Sequence, residues 1–268
     1  MENMPGKQKM KRLAKEIFLL GRRYYYRGHT VECPICQNGF TKMLPGGFES
    51  QVVNKLEIIG AGLRKNNICP YCLSTDRDRL VYLFLKHQTP VFDKKLKVLH
   101  VSPEPALYKV LSNLNNLDYI IGTKYAEGAY YPAEITFFDL LGMPHQDNTF
   151  DVVICNHVLE HIPDDRQAMS EILRILKPGG FAILQVPLSM KLKETLEDSS
   201  VLTKEDRHRV FGQFDHVRVY GSDYKKRLES IGFMVSMHHP STENWPIDDI
   251  EKFALNAKEL LYVGYKSK

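Results

Sequence analysis

Five short apolar segments constrain this chain more than any other feature: "KLKVLHV" (95–101), "LDYIIGT" (117–123), "AEITFFDL" (133–140), "FDVVICNH" (150–157) and "GGFAILQVP" (179–187). Parallel strands covered on both faces lose the in-out alternation of a half-exposed sheet and read as short apolar runs. Helix-like periodicity fills the stretches between the first, second, fourth and fifth segments, so a parallel sheet with right-handed crossovers is expected. Beyond it, "GSDYKKRLESIGF" predicts a helix closed by Gly232, followed by "MVSMHH", a final helix and "LLYVGYK". The expected class is α/β, a doubly wound seven-stranded sheet over residues 91–268, mostly parallel with the last strand antiparallel. Upstream, "STDRDRLVYLFLKHQ" predicts a linking helix capped by Ser74 or Thr75, with Leu80, Leu83 and Phe84 on its apolar face.

Four of the five cysteines fall as "CPIC" (Cys33, Cys36) and "CPYC" (Cys69, Cys72), two C-x-x-C knuckles separated by 32 residues. Each knuckle turns tightly enough for both sulfurs to face one ion, and four thiolates fill a tetrahedral Zn²⁺ without an open position for water. A structural zinc is therefore expected, in a small module that with the linking helix spans residues 31–90. Metal binding would tie together a segment with few large apolar residues of its own. Disulfides are disfavoured in a reducing compartment, and two knuckles are redundant for a redox pair. Cys155 lies in a buried-strand pattern and reads as core.

The 43% apolar and 25% charged content is ordinary for a soluble chain, and no apolar run is long enough to span a membrane. The first residues lack the apolar core and small-residue cleavage site of a secretory signal, so a cytoplasmic location is expected. Residues 1–30 carry eight Lys or Arg against Glu2 and Glu16, which predicts a basic helix. Such a helix either docks through Ile17, Phe18 and Leu20 or meets an anionic membrane surface or nucleic acid.

Residues 145–187 hold "FDVVICNHVLEHI" and "EILRILKPGG". This stretch resembles the class I S-adenosylmethionine-dependent methyltransferases, in particular the type 11 family, over roughly residues 96–268. The resemblance implies a Rossmann-like fold and S-adenosylmethionine as cofactor. It places Asn156 and His157 beside that cofactor at the end of the fourth strand, Lys177 to Gly180 in the turn into the fifth, and Asp139, followed by Leu140, at the adenine. Asp139 also fits a simpler role, capping the next turn. The loop after the first strand departs from the family: His100 stands near the usual acidic position, Ser102, Glu104 and Ala106 replace glycines, and Lys124 stands where an acid meets the ribose. Ser102 is expected to cap the next helix with Pro103 at its first position. Glu104 is expected to replace the missing carboxylate, with Lys124 paired to it or to the cofactor carboxylate. The chain is also similar to bacterial methyltransferases that combine a double-knuckle region, an "S-x-x-R-x-R-L" helix start (Ser74, Arg77, Arg79, Leu80) and a late "DHVR-x-YG" segment.

Methyl transfer from a sulfonium is an in-line displacement, and a hydroxyl acceptor must also lose a proton. The segment "EDRHRVFGQFDHVRVYGSDYKKRLES" offers His216 as base with Asp215 to orient it, and His157 is a second candidate. Asp215, His216 and Arg218 also fit a bracing role before the helix near Ser222. Arg77, Arg79, Arg209 and Arg218 are candidates for holding an acidic or phosphorylated substrate. The leading expectation is O-methylation of a small-molecule or sugar hydroxyl. Its alternatives are RNA methylation, with the zinc module and basic helix on the nucleic acid, and a catalytically silent scaffold for a protein partner. A balance of 36 basic to 32 acidic residues weighs against RNA.

Overall fold

The computed structural model describes residues 5–124, 135–240 and 250–268. Helix α1 (Pro5–Tyr25) leads into two antiparallel hairpins. The first pairs β1 (Arg27–Cys33) with β2 (Asn38–Phe40); the second pairs β3 (Leu44–Gly46) with β4 (Arg64–Ile68) and carries α2 (Gln51–Leu56) between its strands. Helix α3 (Asp76–Gln88) follows. Of its two candidate caps Thr75 serves: its hydroxyl accepts the Asp78 N–H while the Asp78 carboxylate accepts the Thr75 N–H, a reciprocal capping box. Ser74 instead places its hydroxyl against the Cys33 and Cys72 sulfurs, at 3.3 and 3.2 Å.

The remaining elements build the sheet: β5 (Leu96–Val101), α4 (Pro105–Leu111), β6 (Leu117–Thr123), β7 (Thr136–Phe137), β8 (Phe150–Cys155), α5 (Asp165–Ile175) and β9 (Leu176–Ile183). Then come β10 (Leu196–Glu197), α6 (Lys204–Phe211), β11 (Arg218–Val219), α7 (Tyr224–Glu229), β12 (Met234–His238) and β13 (Leu261–Tyr265). The strand order β12-β13-β9-β8-β5-β6-β7 is parallel from β9 to β7, and β13 runs antiparallel to both neighbours. This is the expected seven-stranded α/β sheet. Strand alternation divides the core: Val98, Val152, Ile154 and Ile183 pack under α3 and α4, whereas Leu99, Val153, Cys155 and Ala182 pack under α5 and α7.

Several local expectations are corrected. Helix α3 packs on the sheet through Leu80, Leu83 and Phe84 and also meets the cysteine-bearing part, with Asp76 paired to Arg64 at 2.9 Å. Lys177 to Gly180 do not turn into β9 but form an irregularity inside it: Phe150 pairs with Leu176 and Val152 with Phe181, and Gly179 takes φ +78°. The helix expected before the last strand is not seen among the described residues; residues 241–249 lie outside them, and 250–254 are turns that end on Ala254 at φ +48°. Ile17, Phe18 and Leu20 of α1 do not dock, being 61%, 62% and 51% exposed. The end of that helix touches the second knuckle, with the Arg23 guanidinium 5.1 Å from the centre of the Tyr71 ring. Among the described residues no helix is long and apolar enough to cross a membrane.

Arg79 joins the two halves. It is fully buried and donates from Nε to Phe253 O (2.8 Å), from Nη1 to Asn67 O (2.9 Å) and Ser74 O (3.0 Å), and from Nη2 to Ala254 O (2.7 Å). Its role as a substrate arginine is thereby corrected, because its planar fork is occupied by main-chain carbonyls. Each buried carbonyl left without a donor costs about 1–3 kcal/mol. Arg79→Leu is therefore expected to lower stability by about 3 kcal/mol or more in urea unfolding. An unchanged midpoint would remove Arg79 from this joining role.

Candidate functional site

The two knuckles are built alike. "CPIC" forms the β1–β2 turn and "CPYC" follows β4; the Gln37 N–H donates to Cys33 O (2.8 Å) and the Leu73 N–H to Cys69 O (3.2 Å). In each case the residue after the second cysteine is left-handed, Gln37 at φ 56° and Leu73 at φ 65°, which turns the chain away and leaves the thiols facing inward. Across the knuckles Cys33 and Cys72 lie 3.6 Å apart and Cys36 and Cys69 3.7 Å, with all four sulfurs within 4.8 Å of one another. Four sulfurs at about 2.3 Å from a tetrahedral ion would be about 3.8 Å apart, so the set fits a zinc-sized cation.

At the carboxyl ends of β5 and β8 lies the crevice where open α/β sheets bind ligands. Ser102 ends β5 at φ +47°, a conformation that glycine would adopt without strain, and its hydroxyl bonds Thr123 Oγ1 at 3.0 Å. The helix starts later than expected: Glu104 is the N-cap residue and Pro105, not Pro103, opens α4, so Ser102 caps nothing. Glu104 accepts from His100 Nε2 at 2.7 Å, and the other ring nitrogen of His100 meets the Tyr119 hydroxyl, also at 2.7 Å. Burial alone would raise the Glu104 carboxyl, but the hydrogen bond and charge of His100 outweigh it and hold it below its ordinary value.

Lys124 does not pair with Glu104. Its Nζ sits 2.5 Å from Asp139, which also accepts the Leu141 N–H at 3.0 Å. Asp139 therefore caps its turn while its carboxylate stays partly exposed, held below the ordinary range chiefly by the Lys124 hydrogen bond. Leu140 beside it is buried in the core. Asn156, 5% exposed at the end of β8, makes no hydrogen bond of close geometry, and its side chain faces the Glu104 carboxylate, which it helps to hold ionised. A buried amide so weakly satisfied has polar capacity left for a ligand.

His157 follows at φ +52°, with Nδ1 3.3 Å from Glu160 Oε1 and Nε2 buried without a partner. Burial first, and then the Arg77 charge, push its imidazole down to about 4, so it is neutral near pH 7. Arg77 thus borders the crevice. Segment 58–62, from the cysteine-bearing half, covers this place: Ile59 bridges Leu188, and a Cβ on Gly60 would lie 3.3 Å from His157 Cε1 and 3.2 Å from Glu259 Oε1.

Next to His157 the structure gathers Glu160, His161 and His216. The sequence reading paired Asp215 with His216; the Asp215 carboxylate instead faces His161 Nδ1 at 3.3 Å, because the two imidazoles stand edge to face at 4.7 Å. Burial lowers His216; at His161 burial also acts downward, but the Asp215 hydrogen bonds together with the Glu160 and Asp215 charges raise it. Burial also opposes ionisation of Glu160, but its histidine neighbours pull it down to about 2.

Residues 98–184 match the family model described as a methyltransferase domain. The matched residues run from β5 to the end of β9, the parallel part of the sheet. The demethylmenaquinone methyltransferase of Bacillus pumilus is 34% identical over 61 residues, 23% of this chain and 26% of that one. The glycine/sarcosine/dimethylglycine N-methyltransferase of Actinopolyspora halophila is 27% identical over 124 residues, 46% of this chain and 20% of that one. Each match thus spans about a quarter or less of the relative's length. A solved structure, that of the [4+2]-cyclase SpnF, aligns with 71% of this chain and 81% of its own at 18% identity and a TM-score of 0.48.

The sheet and its loops also contain residues that sequence reasoning did not select. Glu160 sits in "LEH", where pattern alone shows no pairing partner, and His161, four residues after His157, reads in the sequence as a residue that holds the loop. Glu259 is 2% exposed, accepts from Gln185 Nε2 at 2.9 Å, and is pushed up to about 7 by burial. Of the proposed substrate arginines, Arg218 is corrected: it is 3% exposed, donates to the carbonyls of Leu159, Ile162 and Pro163, and pairs with Glu197 at 3.0 Å. Arg209 points away to Asp206 at 2.6 Å and is 77% exposed. Arg218→Ala is expected to cost about 3–5 kcal/mol, as removing one partner from a buried ionic network does. Arg209→Ala should leave the denaturant midpoint unchanged, and equal effects of the two would contradict this division.

Proposed function

We propose that the chain transfers the methyl group of S-adenosylmethionine to an oxygen of a small-molecule or sugar acceptor. The observation that carries the cofactor assignment is the pairing, at the adjoining ends of β5 and β8, of Glu104 held ionised by His100 with the buried and weakly bonded amide of Asn156, in a stretch that matches a methyltransferase family model. Asn156, Ser102 and Glu104 would hold the amino-acid and ribose portions, with Asp139 and Leu140 toward the adenine. The cofactor when bound supplies an electrophilic methyl group on a cationic sulfur. Glu104 favours that positive ligand, while Lys124 neutralises Asp139 at the far end.

The acceptor is assigned to the side of His157, Glu160, His161 and His216, under the cover of segment 58–62. Oxygen is favoured as nucleophile because this side gathers imidazoles and a carboxylate, groups suited to taking the hydroxyl proton. The net change is balanced: the O–H bond and the S–CH₃ bond break, an O–CH₃ bond forms, and a proton and a neutral thioether leave. His216 and His157 are assigned as proton acceptors, with Arg77 bordering the acceptor. Cys33, Cys36, Cys69 and Cys72 are assigned to one structural Zn²⁺.

Calorimetric titration of the zinc-loaded chain with S-adenosylmethionine and S-adenosylhomocysteine tests the cofactor assignment. Both are expected to bind, with affinity reduced about tenfold or more in Glu104→Ala, the loss of one charged contact. A folded chain that binds neither would instead support a silent scaffold. Cys69→Ser is expected to release zinc, counted by metal analysis, and to expose the first half of the chain to proteolysis while residues 96–240 stay protected. Full zinc retention would overturn the four-sulfur assignment.

A further inference from the structure

Glu160 presents an electrostatic problem. Its side chain is 1% exposed and its Oε2 has no hydrogen-bond partner. Its recorded ion pairs are with His157 (3.3 Å) and His161 (3.9 Å), neither a permanent cation. A buried carboxylate left in that state is costly unless a cation or further donors reach it.

The surroundings of Glu160 are those of a ligand set. One carboxylate oxygen of Glu160 and one ring nitrogen each of His161 and His216 lie within 4.8 Å of one another. Small side-chain rotations would bring all three to the metal distance of about 2.0–2.2 Å. His161 gives Nδ1 to Asp215, both to its carboxylate and to its carbonyl at 3.3 Å, which leaves Nε2 toward Glu160. Fixing one imidazole nitrogen with a carboxylate so that the other faces an ion is the usual outer support of a metal-binding histidine.

The two ligand-bearing segments are also clamped together. The Val217 N–H donates to Glu160 O at 2.9 Å, and Arg218 grips the carbonyls of Leu159, Ile162 and Pro163 on either side of the Glu160–His161 pair. Residues 159–161 and 216 therefore hold their relation before any ion arrives, which is the preorganisation a tight site requires.

We propose that Glu160, His161 and His216 bind a divalent first-row cation, which takes the acceptor's hydroxyl oxygen in an open coordination position. One carboxylate and two imidazoles suit manganese, iron, cobalt or zinc rather than calcium, and three protein ligands leave room for an oxygen of the substrate. The cation neutralises Glu160 and makes the bound hydroxyl easier to deprotonate; with the ion in place His216 serves as ligand rather than base, and His157 takes the proton on its way to solvent. The acceptor part of this inference rests on the methyl-transfer reading above; binding of the ion does not.

The test uses the full chain, dialysed against chelator until its zinc content is one per chain and titrated with Mn²⁺ alone, followed by electron paramagnetic resonance. Wild type is expected to take up one Mn²⁺ with nitrogen couplings from two imidazoles in the bound spectrum. Glu160→Gln and His216→Asn should each weaken uptake about tenfold or more while retaining zinc and S-adenosylhomocysteine binding. No Mn²⁺ uptake by wild type, uptake without nitrogen couplings, or uptake unchanged in both variants would overturn the site. These readouts come from the wild type as well, so a variant that fails to fold does not remove the test. Failure of wild type to bind S-adenosylhomocysteine would count against the methyl-transfer reading alone.

Discussion

A guanidinium without a carboxylate partner, sealed from water and held by carbonyls alone, is the contact on which the arrangement of this protein turns. Arg79 stands in the first turn of α3, but its donors end on β4, on the turn after the second knuckle and on residues 253–254 before the last strand. Those carbonyls belong to pieces that have no regular hydrogen-bond ladder with one another. One planar fork satisfies them together, and in doing so holds the cysteine cluster against the final turn of the sheet domain. Glu32 adds a second tie, donating its N–H to Lys252 O at 2.6 Å.

The same device recurs at the chemical end of the molecule. Arg218 collects the carbonyls of Leu159 and Pro163, while Asp165 pairs with Arg227 at 2.6 Å and accepts from the Tyr220 hydroxyl at 2.7 Å. Loops that carry binding groups are ordinarily the loosest part of an α/β fold. Here the loop after β8 and the segment before α7 are stitched by buried arginines, so histidines borne on irregular chain occupy fixed positions. The crevice beside β5 is set differently, through a Glu104–His100–Tyr119 chain centred on a strand residue.

Features with a short repeat were legible in the sequence. The apolar runs around Val98, Val152 and Ile183 predicted the sheet because burial on both faces leaves a one-dimensional signature. The cysteine spacing predicted the cluster because a knuckle is local. Partnerships across the fold were not legible. Arg79 and Arg218 look like surface cations in a list of charges, and only the carbonyls around them, many from distant segments, reveal them as internal braces. The Asp215–His216 adjacency suggested a pair, yet neighbours in an irregular segment point apart, and Asp215 meets His161 across 54 residues of chain. Glu259 had no pattern at all; its meaning comes from burial beside Gln185. At the glycine-free loop the compensating carboxylate was anticipated, but the helix start was misplaced because Ser102 adopts the conformation that glycine would have supplied.

Residues 37–68 leave the cysteine cluster at one knuckle and return to it at the other, and on the way they lay Ile59 and Gly60 over His157. Such an excursion is topologically a closed loop with an anchored base. Changing the length of a loop alters its closure entropy only logarithmically. The cover over His157 can thus be lengthened, shortened or rewritten between β3 and β4 while both hairpins, the seven-stranded sheet and the crevice beside β5 stay as they are. In a lineage descended from this architecture, a different enclosure around His157 would be gained by editing that excursion, with the sulfur cluster acting as the fixed frame into which alternative covers are fitted.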